Sequence, residues 1–118
     1  MQRSLVVKAT CGADAPERCA QAFSVSATAL ASGVAVSLWL TGEASWLAVP
    51  GHTVELEHSA PVADLRDAVL ADGTLTLCTQ CALRRGIAES DVLPGVRLAG
   101  AAVFVSEIMT DGAQALVY

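Results

Sequence analysis

The chain lacks most of the features that assign a function directly. No apolar run approaches the ~20 residues that a membrane-spanning helix needs. The nearest candidate, Leu30 to Leu40, is broken by Ser32, Gly33 and Ser37. Near the start, Leu5-Val-Val7 is too short for the core of a signal peptide, and Lys8 interrupts it. Basic charge is scarce: 7 Lys and Arg against 12 Asp and Glu give a net charge of −5. Arg84-Arg85 is the only adjacent basic pair. This balance argues against a general nucleic-acid binder, which carries a basic patch. A Gly-rich phosphate fingerprint is missing, which weighs against nucleotide binding. There is no Gly-x-Ser-x-Gly elbow for a serine nucleophile. Nor is there a second CxxC or a paired-histidine motif to complete a structural zinc site. Internal repeats and low-complexity stretches are absent as well.

What is present suits a compact core. The 118 residues are enough for one domain, 1–118, and too few for two. Hydrophobic residues make up 53% and charged residues 16%, with a mean hydropathy of +0.52. With no membrane segment in view, the expected setting is cytoplasmic, and the surplus apolar surface is expected to meet other copies of the chain. Four cysteines without a secretory signal are expected to stay reduced, which directs attention to metal or redox chemistry.

Apolar patterning and turn signals predict alternating strands and helices. Ser4 to Ala9, β-branched at Val6 and Val7, reads as a buried first strand. Asp14, Pro16 and Glu17 form a capping-box arrangement for a helix running to about Ser32. Cys19, Phe23, Ala27 and Leu30 line one face of that helix, and Gly33 stops it. Val34 to Leu40 is a second buried strand. Glu43 to Glu57 reads as loop with a short helical turn. Pro61 opens a helix with Val62, Leu65, Val69 and Leu70 inward. Thr74 to Leu77 is a third strand that delivers Cys78 at its carboxyl end. Val96 to Ala99 and Ala115 to Tyr118 are the fourth and fifth strands. Ala101 to Thr110 suits a strand by its Val-Phe-Val run and a helix by its spacing. The pattern predicts an α/β fold: a three-layer α/β/α sandwich around a five-stranded, mainly parallel sheet.

In such sheets ligands bind beyond the carboxyl ends of the strands. Cys78-Thr-Gln-Cys81 lies there, where the third strand gives way to a helix-forming Ala82-Leu-Arg-Arg85 run. Free N–H groups in a first helical turn favour thiolate, the reactive form of cysteine. Cys11 and Gly12, in the loop after the first strand, fall on the same edge, so Cys11 is a candidate second thiol and the N–H groups there a candidate anion contact.

The segment Leu75-Thr-Leu-Cys-Thr-Gln-Cys-Ala-Leu-Arg-Arg-Gly-Ile87 resembles the active-site segment of the DsrE/DsrF-like family, in particular its sulfur-relay branch related to TusD and DsrE. Leu98-Ala-Gly100, the closing Ala115-Leu-Val-Tyr118 and the opening strand–helix–strand pattern extend the resemblance over nearly the whole chain. It implies a small α/β subunit that assembles into trimers, hexamers or mixed hexamers. It also implies that Ala101 to Thr110 is helical. In relay members the strand-end cysteine accepts sulfur as a persulfide from a donor protein and passes it to an acceptor. That role falls on Cys78 here, with no cofactor.

Each candidate has a plainer reading beside it. Cys78 could be a small buried hydrophobe. Cys81, a position often not cysteine in the relay proteins, could resolve a disulfide or persulfide on Cys78, making the pair a thiol–disulfide oxidoreductase or redox sensor. It could also share a zinc with Cys78, or only pack. Arg84 and Arg85 could offset the helix C-terminus, or contact a partner. Their distance from Cys78, about 9–10 Å of helix, leaves little effect on its thiol. A non-catalytic oligomeric binding module is the third functional reading. Cys19 is assigned to the core, His52 and His58 to loops, Trp39 to the core, and Trp46 to an interface or to cover of the site.

Overall fold

The computed structural model describes residues 2–118. Five strands form one parallel sheet: β1 (Ser4–Ala9), β2 (Ala35–Leu40), β3 (Thr74–Cys78), β4 (Arg97–Ala99) and β5 (Ala113–Val117). Their spatial order is β4-β3-β2-β1-β5. The helices are α1 (Pro16–Ala31), α2 (Val62–Asp72), α3 (Thr79–Arg84) and α4 (Ala101–Ile108). A 3₁₀ segment, Gly42–Ala48, follows β2.

Alternation along each strand makes the two faces of the sheet unlike. Leu5, Val7 and Ala9 of β1, Val36, Leu38 and Leu40 of β2, and Leu75 and Leu77 of β3 point to one face. There they meet α1 and α2, whose Cys19, Phe23, Val62 and Val69 are buried. Each fully buried Leu or Phe contributes roughly 1.5–3 kcal/mol, so this face supplies most of the drive to fold. The other face carries Lys8, Ser37, Trp39, Thr76 and Arg97, and α4 lies over it. Four strands are laid down in one direction before the chain crosses back to place β5 beside β1. A right-handed crossover then puts α4 on the opposite side from α1 and α2.

That second layer is thin. No residue of α4 is fully buried, and Val103, Val105 and Met109 are exposed, as are Leu116 and Val117 on the adjoining edge strand. A polar network holds α4 down. Glu107 accepts hydrogen bonds from the Ser37 hydroxyl (2.6 Å), the Trp39 indole N–H (2.9 Å) and Arg97 (2.6 Å), while Arg97 also donates to Thr76 Oγ1 (2.8 Å). Phe104 packs edge-on against Trp39 with ring centroids 5.3 Å apart.

The expected elements are present within a residue or two at most ends. One local expectation fails. Asp14 does not cap α1: the N-cap is Ala15, with no side-chain capping bond. Asp14 Oδ1 instead accepts the Gly12 N–H at 2.8 Å, so the carboxylate closes the preceding loop rather than the helix. The inward face of α1 is also rotated slightly, with Ala22 and Ser26 buried where Ala27 is only half-buried. Ser26 tolerates burial because its hydroxyl donates to the Ala22 carbonyl at 2.7 Å.

Candidate functional site: a dithiol at the carboxyl edge of the sheet

β3 ends at Cys78, which has extended backbone (φ −62°, ψ 123°) and is the N-cap of α3. Cys81 lies three residues on, in the first turn of that helix. Residues so spaced on a turn have their Cβ atoms about 5–6 Å apart. Both thiols are free and half-buried. α3 is brief because Gly86, at φ +67°, takes the left-handed conformation that ends it.

The Cys78 thiol is acidified. Burial alone raises its pKa, but the Cys81 N–H, the Cys81 thiol, the Gln80 N–H and, least, the Arg84 charge all favour the thiolate. Together they bring it below the ordinary value of 9.0. Cys19 shows the opposite case: burial, followed by repulsion from Cys11 and Asp14, pushes it up to about 11. It belongs to the core.

Cys81 is held from outside its helix. The Gly42 N–H, at the exit of β2, donates to Cys81 Sγ at 3.4 Å. Gly42 can reach that position because it takes φ +52° and lies against β1's exit; a Cβ there would sit 2.5 Å from the Thr10 carbonyl oxygen. Gly12 packs as closely, its notional Cβ 2.6 Å from the Glu43 carbonyl oxygen. The exits of β1, β2 and β3 therefore form one tightly packed edge. Gly12 serves that packing, and its N–H is already satisfied by Asp14.

The two arginines diverge. Arg85 pairs with Glu43 (2.9 Å) and donates to the Cys81 carbonyl (3.2 Å), joining α3 to the 3₁₀ segment. Arg84 is exposed. Cys11 is buried at the exit of β1, with Thr10 Oγ1 3.6 Å and Arg18 Nη1 3.9 Å from its sulfur. β2 separates β1 from β3, so two strand spacings, about 10 Å, lie between the β1 and β3 backbones. Cys11 shares the edge with the dithiol but does not join it. Beside the 3₁₀ segment, Trp46 stacks on His52 (centroids 5.5 Å apart) along a cleft of about 210 Å³ that Glu43 also borders. His58 is exposed.

Two contributors escaped the sequence reading. Gly42 follows the second strand directly, and its neighbours along the chain carry no sign of a contact with Cys81, 39 residues away. Glu43 carried no signal, because its partner Arg85 is 42 residues away. Among the described residues, no group of three or more His, Cys, Asp or Glu side chains is arranged to hold a metal ion.

The fold has solved counterparts. The YchN protein of E. coli superposes with a TM-score of 0.81 at 16% identity, covering 100% of both chains. MTH1491 from Methanobacterium thermoautotrophicum, described as a protein of unknown function, gives a TM-score of 0.64 at 14% identity, again over 100% of both chains. At these identities the likeness is one of fold. No curated protein sequence matches the chain. The model of the DsrE/DsrF-like family, however, matches residues 4–118. With that match running from β1 through β5 and the cysteine-bearing segment at the end of β3, the chain belongs to the DsrE/DsrF-like family.

Proposed function

We propose that this protein is a sulfur carrier in which Cys78 takes up sulfane sulfur as a persulfide and hands it to a partner thiol. The observation that carries this reading is the half-buried Cys78 at the end of β3 and the start of α3, where the Gln80 and Cys81 N–H groups favour its thiolate, at the edge where parallel sheets present their chemistry. A thiolate there attacks the sulfane sulfur of a donor, and the surrounding N–H groups stabilise the resulting persulfide anion. Family membership supports the same role. Donor and acceptor are proteins or small molecules carrying persulfide and thiol groups. Arg84, exposed beside the dithiol, is a contact for an acidic partner.

The working unit is a homo-oligomer, a trimer or hexamer. The apolar residues left open on α4 and β5 support self-association. The setting is cytoplasmic; no helix among the described residues is long and apolar enough to cross a membrane. Cys11 is a secondary thiol within the same edge. A second reading, a thiol–disulfide oxidoreductase or redox sensor, is favoured by the proximity of Cys81 to Cys78.

Anaerobic incubation with inorganic polysulfide followed by intact-mass and peptide analysis tests the carrier role. The expected product gains the mass of one sulfur atom on Cys78, and Cys78→Ser gains none. A Cys78→Ser variant that takes up sulfur as well as wild type sinks the proposal.

A further inference from the structure

Favouring the Cys78 thiolate does not exhaust the chemistry open to Cys81, and two contacts fix its place. The Gly42 N–H donates to its sulfur (3.4 Å), and Arg85 holds its carbonyl (3.2 Å). A persulfide on Cys78 would keep its inner sulfur where the Cys78 sulfur now sits, one helical turn from Cys81. The outer sulfur would extend a further S–S bond, about 2.05 Å, beyond it. Cys81 is therefore poised against the inner atom. A three-residue spacing at a helix start is also that of the CxxC motifs that form disulfides in redox proteins.

We propose that Cys81 discharges the persulfide: its sulfur attacks the inner, Cys78-bound sulfur, expels the outer one as hydrosulfide, and leaves a Cys78–Cys81 disulfide. This rests on the carrier reading of Cys78. The step balances without an external oxidant. The Cys81 S–H proton passes to the departing outer sulfur, one S–S bond forms and one breaks. The sulfane sulfur is reduced to sulfide while the two cysteine sulfurs are oxidised. Hydrosulfide is a weaker base than an alkyl thiolate and leaves readily. A small dithiol reductant then restores the two thiols. The pair thus limits how long an undelivered sulfur stays on the protein, converting a carrier that meets no acceptor into a sulfide-releasing, resettable one.

The test loads wild type, Cys81→Ser and Cys81→Ala with inorganic polysulfide under argon, desalts them, and follows intact mass and free sulfide with time. Serine keeps an acceptor for the Gly42 N–H, so that variant retains the local fold. Alanine removes it and checks that the outcome does not depend on the hydroxyl. Wild type is expected to lose its added sulfur, release one equivalent of sulfide and finish two hydrogens lighter, with Cys78 and Cys81 linked. In both variants the adduct is expected to persist at least about tenfold longer, the minimum effect of removing a preplaced intramolecular nucleophile. Equal decay in wild type and variants overturns the discharge step but leaves the carrier reading standing. So does sulfur found on Cys81 with no sulfide released. If neither wild type nor the variants ever gain sulfur or release sulfide, the carrier reading falls and the discharge step with it.

Discussion

Glu107 holds the thin side of the fold together, and its removal has a calculable cost. Its carboxylate accepts from Ser37, Trp39 and Arg97, which places α4 over the polar face of the sheet. In Glu107→Ala the indole N–H of Trp39, a residue 1% exposed in the fold, loses its partner. An orphaned buried donor costs about 1–3 kcal/mol. The Arg97–Glu107 pair is partly open, with side chains 38% and 23% exposed. Solvent screening limits its share to about 0.5–1 kcal/mol. The half-buried Ser37 hydroxyl recovers water and adds little. The sum is a loss of about 1.5–4 kcal/mol. Glu107→Gln keeps one acceptor oxygen but turns an amide N–H₂ toward Arg97, for about half that loss. Urea unfolding at fixed protein concentration reads both values.

The same carboxylate adds a pH signature. Burial raises its pKa, but the bonds from Ser37, Trp39 and Arg97, with the Arg97 charge, bring it below the ordinary 4.5. A depressed folded-state pKa means the stabilisation is fully present above about pH 4.5 and is lost as pH falls through the folded value. The acid limb of the stability curve is therefore expected to flatten in Glu107→Gln. A Glu107→Ala loss under about 0.5 kcal/mol, the scale of an ordinary surface change, with an unchanged acid limb, refutes the tether.

Other outcomes follow from the same geometry. Iodoacetamide labelling of the native protein is expected to modify Cys78 with a pH midpoint below 9.0 and to leave Cys19 unmodified until unfolding; native Cys19 labelling at the Cys78 rate contradicts the burial argument. Gly42→Ala places a Cβ 2.5 Å from the Thr10 carbonyl oxygen in a left-handed conformation. This is expected to cost about 1–3 kcal/mol, read as a thermal midpoint roughly 5–10 °C lower. An unchanged midpoint sinks the close-packing account of the strand exits. Met109→Lys with Val105→Ser is expected to lower the solution mass measured by light scattering while leaving circular dichroism unchanged; an unaltered mass means α4 is not the contact face.

Legibility followed the range of the forces involved. Leu38 and Leu40, or Leu75 and Leu77, announce strands because a two-residue alternation is a local record of which face is buried. Gly33 and Gly86 announce helix ends because only local backbone geometry is at stake. Asp14 misled for the same reason: the local capping pattern was present, but the Gly12 N–H competed for the carboxylate and won. The segment after β2 resisted reading because its anchor lies elsewhere. Buried Arg66 of α2 donates to the Leu47 and His52 carbonyls (3.2 and 3.0 Å), fastening a stretch with little pattern of its own.

The sequence by itself determined the alternation of strands and helices, the strand-end place of Cys78, its three-residue spacing from Cys81, and the family to which the segment points. These are properties of neighbours along the chain. Tertiary structure alone decided that Gly42 grips Cys81, that Glu43 and Arg85 join the 3₁₀ segment to α3, and that Cys11 lies a strand away from the dithiol. It also decided that Glu107 seats α4 on a polar face. Those contacts join residues up to 70 positions apart. They exist only after the parallel strands set their register and bring their exits to one edge, because hydrogen bonds and close packing act over a few ångströms of space rather than along the chain.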